Sequence, residues 1–257
     1  MKIKSKFVYG GLAVAIVPLL ISSGFTTMQA SHQAQTGLTE LADKALMSSV
    51  NSGANSIKNY FEFLNKELTT QASNPLILEA FSELQQAYQF PTVSPQMRST
   101  VLDYYTQQFG PKYQVKNPNI KAPVKAMTSG LDNDSWYLQY QYIANNSAEL
   151  GAKDELTQAP DNSNYSIAHA KYHPFMRSIL QHFSLYDVFL VDAQSGDVIY
   201  SVYKELDFST SLINGPYAQS GLGEAFRQVL SSTDASPVLT KFNDYLPSYS
   251  DPAAFML

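Results

Sequence analysis

The stretch YDVFLVDAQSGDVIYSVYKE, residues 186–205, decides the fold class predicted for this chain. Two runs rich in Val, Ile, Tyr and Phe, residues 186–193 and 197–205, flank the connection Gln-Ser-Gly at 194–196. β-Branched and aromatic residues favour strands, and a short connection that contains glycine is typical of a hairpin. The stretch therefore predicts two antiparallel strands joined by a tight turn.

Other segments of the second half extend this prediction to a sheet domain over residues 135–257. The aromatic run WYLQYQYI at 136–143, and residues 238–245 and 253–257, are predicted to be strands. Residues 165–183 are predicted to form a helix that contains Pro174, and Ser220 is placed to cap a helix ending near 231. Because the chain stops inside an apolar run, we expect the sheet to be incomplete at this end.

The first half is predicted to be helical, and residues 31–134 are assigned to a long stalk helix followed by shorter helices. Residues 76–89 and 95–109 are the shorter helices, and 110–134 is an irregular connection rich in Pro and Gly. Apolar positions along residues 31–72 recur at three- and four-residue steps, which is the helical period. Six of them form a heptad-like stripe: Val50, Ala54, Ile57, Phe61, Leu64 and Leu68. The stripe predicts packing against other helices or pairing with a second copy of the chain.

Residues 1–30 are predicted to be a cytoplasmic tip and a transmembrane helix. Three lysines precede residues 7–30, which contain no charged side chain. A helix of this length would cross a hydrocarbon core of about 30 Å, and the lysines favour a cytoplasmic N-terminus. The alternative is a cleaved signal peptide, although its apolar region is typically about 7–15 residues long. Either interpretation places the rest of the chain outside the cytoplasm. The whole pattern predicts an α+β protein.

Composition excludes several classes of function. The chain of 257 residues has no cysteine, so disulfides, thiol catalysis and cysteine zinc sites are excluded. Its formal net charge is −5 at pH 7, and the lysines and arginines are few and scattered. A nucleic-acid-binding surface needs clustered basic residues, so no nucleic-acid partner is expected.

Four segments of the chain resemble a known family. They are LQYQYIANNSAELGAKDEL (138–156), YSIAHAKYHPFMRSIL (165–180), YDVFLVDAQSGDVIYSVYKELDFSTSL (186–212) and GPYAQSGLGEAF (215–226). They are similar, in this order, to the sensor region of bacterial methyl-accepting chemotaxis proteins. The resemblance implies a PAS/Cache-like antiparallel sheet domain carried by a long helix, a homodimer, and a location in the inner membrane with the bulk of the chain in the periplasm. It also implies a second membrane helix, a HAMP linker and a signalling domain, which this chain lacks.

The function predicted from the resemblance is the extracytoplasmic ligand-sensing portion of a chemoreceptor. Similar segments precede some histidine kinases and nucleotide cyclases, so the sensor region of either is an alternative. An anchored interaction module without a small ligand is the alternative from another class. Reading the downstream coding region would separate the receptor from the kinase and the cyclase.

The predicted ligand site lies between the hairpin and the preceding helix. PAS-like sensors hold small ligands there, and a pocket needs an apolar lining with a few convergent polar groups. An arginine is suited to grip a carboxylate and an aspartate to pair with an ammonium group, so the expected ligand is an amino acid or a small organic acid. The candidate residues are Tyr172, His173, Arg177, Tyr186, Asp187, Tyr200, Lys204 and Asp207. The bland interpretation is that these residues belong to the core or to a solvated strand end.

Motifs for catalysis or metal binding are weak. His169 and His173 share a helix face, and two imidazoles at that spacing are able to bind zinc. The catalytic version has Glu after the first His, where this chain has Ala170, and no third ligand is evident. There is no G-x-S-x-G motif, and the turn from Asp192 to Asp197 lacks the spacing of a calcium loop. The sequence therefore predicts neither an enzyme nor a cofactor.

Overall fold

The computed structural model describes residues 3–149, 151–233 and 236–257, and in the first helix it describes side chains from residue 11 on, apart from 13 and 15. The chain divides into a unit that ends at Leu64 and a unit that covers Asn65–Leu257. The chain is 61% helical and has two small two-stranded sheets. The predicted α+β class with a PAS/Cache-like sheet domain is therefore wrong, because helices dominate and each sheet has only two strands.

Helix α1 (Ile3–Ala72) begins far earlier than the predicted stalk and passes through the expected helical region without interruption. The pattern of residues 31–72 predicted this helix correctly. In the first unit its apolar side chains are largely exposed, as Val50 (57%) and Ile57 (61%) illustrate. The predicted packing or pairing of this stripe with a second copy stays a prediction.

The structure contradicts the prediction of a membrane helix. Among the described residues, no helix is long and apolar enough to cross a membrane. The side chains of 7–10, 13 and 15 belong to the predicted span and lie outside the described residues. The predicted location in the inner membrane, with the bulk of the chain in the periplasm, is contradicted by the same finding.

The second unit is built from short helices. They are α2 (Pro75–Gln86), α3 (Pro95–Tyr104), α4 (Gly110–Lys116), α5 (Val124–Thr128), α6 (Asn133–Gln139), α7 (Asn164–Phe183) and α8 (Gly221–Ser231). Single π-helical turns cover Tyr105–Phe109 and Tyr140–Ala144, and short 3-10 turns cover Lys153–Glu155 and Leu246–Ser248.

Capping side chains fix where several of these helices begin. Asn74 accepts a hydrogen bond from Leu76 N (3.0 Å), and Ser94 accepts one from Met97 N (3.2 Å). Proline follows each cap at the first helical position, where its missing N–H costs nothing. Ser220 caps α8 as predicted, since its side chain accepts from the backbone N–H of Gly223.

The predicted strand at 136–143 is wrong, because these residues form α6 and a π-helical turn. Asp132 caps α6 by accepting a hydrogen bond from Ser135 N (2.8 Å). Residues 135–139 are all buried, so side chains on every face of the helix pack against protein. A strand at a sheet surface would bury alternate residues only. Burial on all sides thus overrides the strand preference of the aromatic residues.

The predicted hairpin forms, but its strands are short. β1 (Phe189–Val191) and β2 (Val198–Ser201) are antiparallel, and Leu190 lies opposite Tyr200. The Asp187 carboxylate accepts hydrogen bonds from the next two amides, Val202 N and Tyr203 N, each at 3.0 Å. Val202 N also donates to Val188 O across the hairpin (3.1 Å), whereas Tyr203 N bonds to the Asp187 side chain instead of the opposite strand. The predicted strand over 197–205 therefore ends in a turn.

A second antiparallel pair lies near the end of the chain. β3 (Asn243–Tyr245) pairs with β4 (Asp251–Ala253), whereas longer strands were predicted at 238–245 and 253–257. Outside these strands the pairing continues only as an isolated bridge between Leu239 and Met256. The core of the second unit is aromatic, and its fully buried members include Tyr105, Tyr142, Tyr165, Tyr200 and Phe208.

Candidate functional site

A cleft with four aromatic residues among its ten lining residues is the candidate site. Its aromatic members are Tyr104, Phe109, Tyr203 and Tyr249, and Gly151, Lys153, Lys204, Glu205, Leu206 and Pro247 complete the lining. The rings of Phe109 and Tyr249 are stacked with centroids 4.9 Å apart. Counting its open mouth, the cleft measures about 300 Å³, but the part wide enough for a water molecule is about 20 Å³. This part has room for about one water.

Glu205 supplies the carboxylate of the cleft. Its Oε1 accepts a hydrogen bond from Tyr186 OH (2.7 Å), and its Oε2 accepts one from Ser248 Oγ (2.8 Å). No basic side chain among the described residues lies within 4.0 Å of it. Burial, assisted by the charge of Asp207, raises the pKa of Glu205 to about 8. At neutral pH the cleft therefore holds a neutral carboxylic acid.

Tyrosine rings of the cleft already contact cations from the chain itself. Lys153 Nζ lies 5.5 Å from the centroid of the Tyr104 ring, and Lys112 Nζ lies 4.8 Å from that of Tyr249. Ring faces attract cations within about 6 Å of the centroid. The lining therefore suits a positively charged group.

The predicted site residue Asp187 is fully engaged within the protein. Besides the two amides that follow β2, its carboxylate accepts hydrogen bonds from Val188 N (2.6 Å) and Ser201 Oγ (2.6 Å). Burial raises the pKa of Asp187 to about 6, and these hydrogen bonds act in the opposite direction. Asp187 thus shapes the turn after β2.

His173, Tyr200 and Lys204 are brought together between α7 and β2. His173 Nε2 donates to the backbone oxygen of Asp154 (2.7 Å), because a carbonyl only accepts. Its Nδ1 therefore accepts from Tyr200 OH (2.7 Å). Burial lowers the pKa of His173 to about 3, which agrees with this neutral tautomer. Arg177 is tied to the same loop through an ion pair of its Nε with Asp154 Oδ2 (2.7 Å).

Lys204 extends into the core and is only 1% exposed. Its Nζ donates to the backbone oxygens of Ser201 and Val202, each at 3.2 Å. The same atom lies 5.6 Å from the ring centroid of Tyr142 and 5.5 Å from that of Tyr200. Burial lowers the pKa of Lys204 to about 7, although Asp187 and Asp154 act in the opposite direction.

Three predicted residues lie apart from this group. Tyr186 is 57% exposed, and its hydroxyl reaches Glu205 at the cleft. Tyr172 is buried, and Lys171 Nζ lies 4.7 Å from its ring centroid. Asp207 accepts from Tyr245 OH (2.5 Å), and burial raises its pKa to about 7. The eight predicted residues therefore do not line one pocket.

The weak metal candidates His169 and His173 stack on each other with ring centroids 4.5 Å apart. His169 Nδ1 donates to the backbone oxygen of Thr157 (2.6 Å), and both nitrogens of His173 are hydrogen-bonded. Among the described residues, no three His, Asp or Glu side chains are grouped to hold a metal ion. The arrangement is that of two neutral core histidines.

Comparisons of the chain with protein-family models, with curated proteins and with solved structures found no match. The function is therefore inferred from the geometry of the cleft. The resemblance to chemoreceptor sensor regions stays a prediction.

Proposed function

We propose that the second unit is a ligand-sensing domain that binds a small organic ammonium compound, such as an amino acid or an amine, in the cleft around Glu205. The observation that carries this proposal is a largely buried carboxylate with no basic partner among the described residues, set in a cleft lined by aromatic rings. Buried acidic groups are usually paired with a cation or kept neutral. An ammonium group would supply the missing partner.

The energetics favour an ammonium ligand over a simple organic acid. A cation in the cleft pairs with Glu205 as that group ionises, and ring faces contribute about 0.5–2 kcal/mol each when desolvated. A ligand with only carboxylates would leave Glu205 without a cation as its partner. An amino acid has the required ammonium group, and Lys153 on the same lining offers a partner for its carboxylate.

Ligand entry requires the cleft to widen, because its water-sized part is about 20 Å³. Tyr203 and Glu205 are half-buried lining residues, and their outward rotation would break the stacking of Tyr203 on Tyr186 and the two hydrogen bonds of Glu205. Both belong to the turn that follows β2, which Asp187 holds through the amides of Val202 and Tyr203. Ligand binding would therefore alter a turn that ends the hairpin. The resemblance of residues 186–212 to chemoreceptor sensor regions supports a sensory role for this change.

Thermal melting of the full chain with a panel of amines, amino acids and organic acids tests the proposal. A bound ligand at 100 times its dissociation constant adds about 2.7 kcal/mol to the free energy of unfolding. We expect ammonium compounds to raise the melting temperature, and Glu205→Gln to abolish the effect. Glu224→Gln, an exposed change on α8, is the matched control. A panel without effect, or equal shifts with and without Glu205, would refute the proposal.

A further inference from the structure

The groups that surround the Lys204 amine form a cage, which is a second recognition feature, although Lys204 also lines the Glu205 cleft. We propose that this cage is a binding site for short primary amines that the chain fills with its own Lys204 side chain. The cage consists of the Tyr142 and Tyr200 rings, the backbone oxygens of Ser201 and Val202, and the imidazole of His169. Its members carry no negative charge, so it is built from acceptors and ring faces alone.

These groups match the chemistry of a primary amine. A lysine ammonium has three N–H donors and no acceptor. Two of these N–H groups donate to Ser201 O and Val202 O at 3.2 Å each. The ring centroids of Tyr142 and Tyr200 lie at about the distance from the amine nitrogen that is expected for a cation–π contact. No carboxylate among the described residues lies within 4.0 Å of Lys204 Nζ. Lys204 is therefore held by the cage and not by an ion pair.

An acceptor without a partner lies among the same rings. His169 is fully buried, and its Nε2 has no hydrogen-bond partner among the described residues. Because Nδ1 donates to Thr157 O, Nε2 carries a free lone pair. The His169 ring centroid is 4.6 Å from that of Tyr142 and 5.4 Å from that of Tyr200, the two rings beside the amine. His169 thus contributes an unpaired acceptor to the cluster of rings that surrounds the amine.

The backbone of Lys204, the residue whose side chain fills the cage, is strained. Its φ is 55°, in the left-handed region that non-glycine residues rarely adopt. Lys204 N donates to Ser201 Oγ (2.8 Å), and Ser201 Oγ donates to Asp187, which maintains the turn. Strained residues persist where the surrounding structure over-determines them, and they cluster at ligand sites. Tyr142 also belongs to a π-helical turn, a feature frequent at functional sites.

The test is rescue of Lys204→Ala by propylamine, which replaces the deleted atoms. In the full chain at pH 8 we expect propylamine to raise the melting temperature of this variant by roughly 3 °C or more, with one site by calorimetry. The original chain should show no binding at the cage, because Lys204 fills it. Propanol, which has the same length but no amine, should have no effect.

Two control variants separate binding at the cage from binding elsewhere on the chain. Lys121→Ala removes an exposed lysine and should create no propylamine site. Lys204→Ala combined with Glu205→Gln should still bind propylamine, whereas binding in the Glu205 cleft would be lost. If Lys204→Ala does not fold in buffer, its refolding yield with and without propylamine gives the readout. The proposal is overturned if neither melting nor refolding responds to propylamine, or if propanol acts equally.

Discussion

The hydroxyl of Tyr186 donates a 2.7 Å hydrogen bond to Oε1 of Glu205, and no basic side chain among the described residues pairs with that carboxylate. A hydroxyl stabilises a carboxylate less than a cation does, so burial keeps the pKa of Glu205 high, at about 8. The proton on this group is therefore linked to the binding of a cation.

Cation binding at the cleft should release a proton and tighten with pH. Below pH 8 the free acid must ionise before it pairs, so affinity should rise about tenfold per pH unit and level off above pH 8. Tetramethylammonium is the suitable probe because its charge does not titrate. Calorimetry at pH 6, 7, 8 and 9 measures the trend.

Glu205→Gln provides the control for this pH dependence. The variant should bind the probe weakly and show no trend across the same pH range. An equally steep trend in Glu205→Gln would assign the proton to another group and contradict the prediction.

Lys204 should make the stability of the chain depend on pH above neutrality. Its pKa is about 7 in the folded chain, whereas an unfolded lysine titrates near 10.4. A lowered lysine pKa means that the unfolded state binds more protons between these values, so stability rises with pH there. Relative to Lys204→Met, which does not titrate, the original chain should gain up to about 1 kcal/mol per pH unit from pH 7 to 10. Urea unfolding of both proteins at pH 7, 8 and 9 checks this, and a constant difference would contradict it.

Replacement of Asp187 should lower the free energy of unfolding of the chain. Asp187→Ala leaves the amide of Tyr203 without an acceptor, whereas Val202 N keeps Val188 O, and an unsatisfied buried group costs about 1–3 kcal/mol. Asp187→Asn keeps one acceptor oxygen and should lose less than half as much. Urea unfolding measures both losses. Equal losses in the two variants would show that the stability does not depend on Asp187 as a hydrogen-bond acceptor.

The sequence predicted the local elements of this chain better than their assembly. Signals within a few residues were enough to predict the 194–196 turn, the Ser220 cap and the uninterrupted helix over 31–72. They were not enough to predict the length of the hairpin, because the Asp187 carboxylate accepts from Tyr203 N where the predicted second strand would continue. The same limit applies to residues 136–143. Their aromatic residues favour a strand, but burial on every side favours the helix that forms.

The candidate site was predicted only in part, for a similar reason. Lys204, Tyr200 and His173 were identified from their place on the hairpin and the helix, and the structure brings them together. Tyr104 and Phe109 lie close together in sequence, but Tyr249 comes from a segment far from both. Glu205 ends the predicted strand over 197–205 and was not among the predicted site residues. Its burial depends on Ser248 and on the cleft, which no local pattern reveals.

The 194–196 turn, which joins the two strands of the hairpin, depends on Gly196. Its φ is +75°, and a Cβ added there would lie 2.7 Å from Ile213 Cγ1. Gly196→Ala combines backbone strain with this clash, so we expect a loss of about 1–3 kcal/mol of folding free energy. Gly37→Ala in α1 is the matched control, because nothing lies within 4 Å of its added Cβ and the helix favours Ala by about 1 kcal/mol. Urea unfolding should therefore show opposite signs for the two changes, and a neutral Gly196→Ala would mean that the turn adapts without cost.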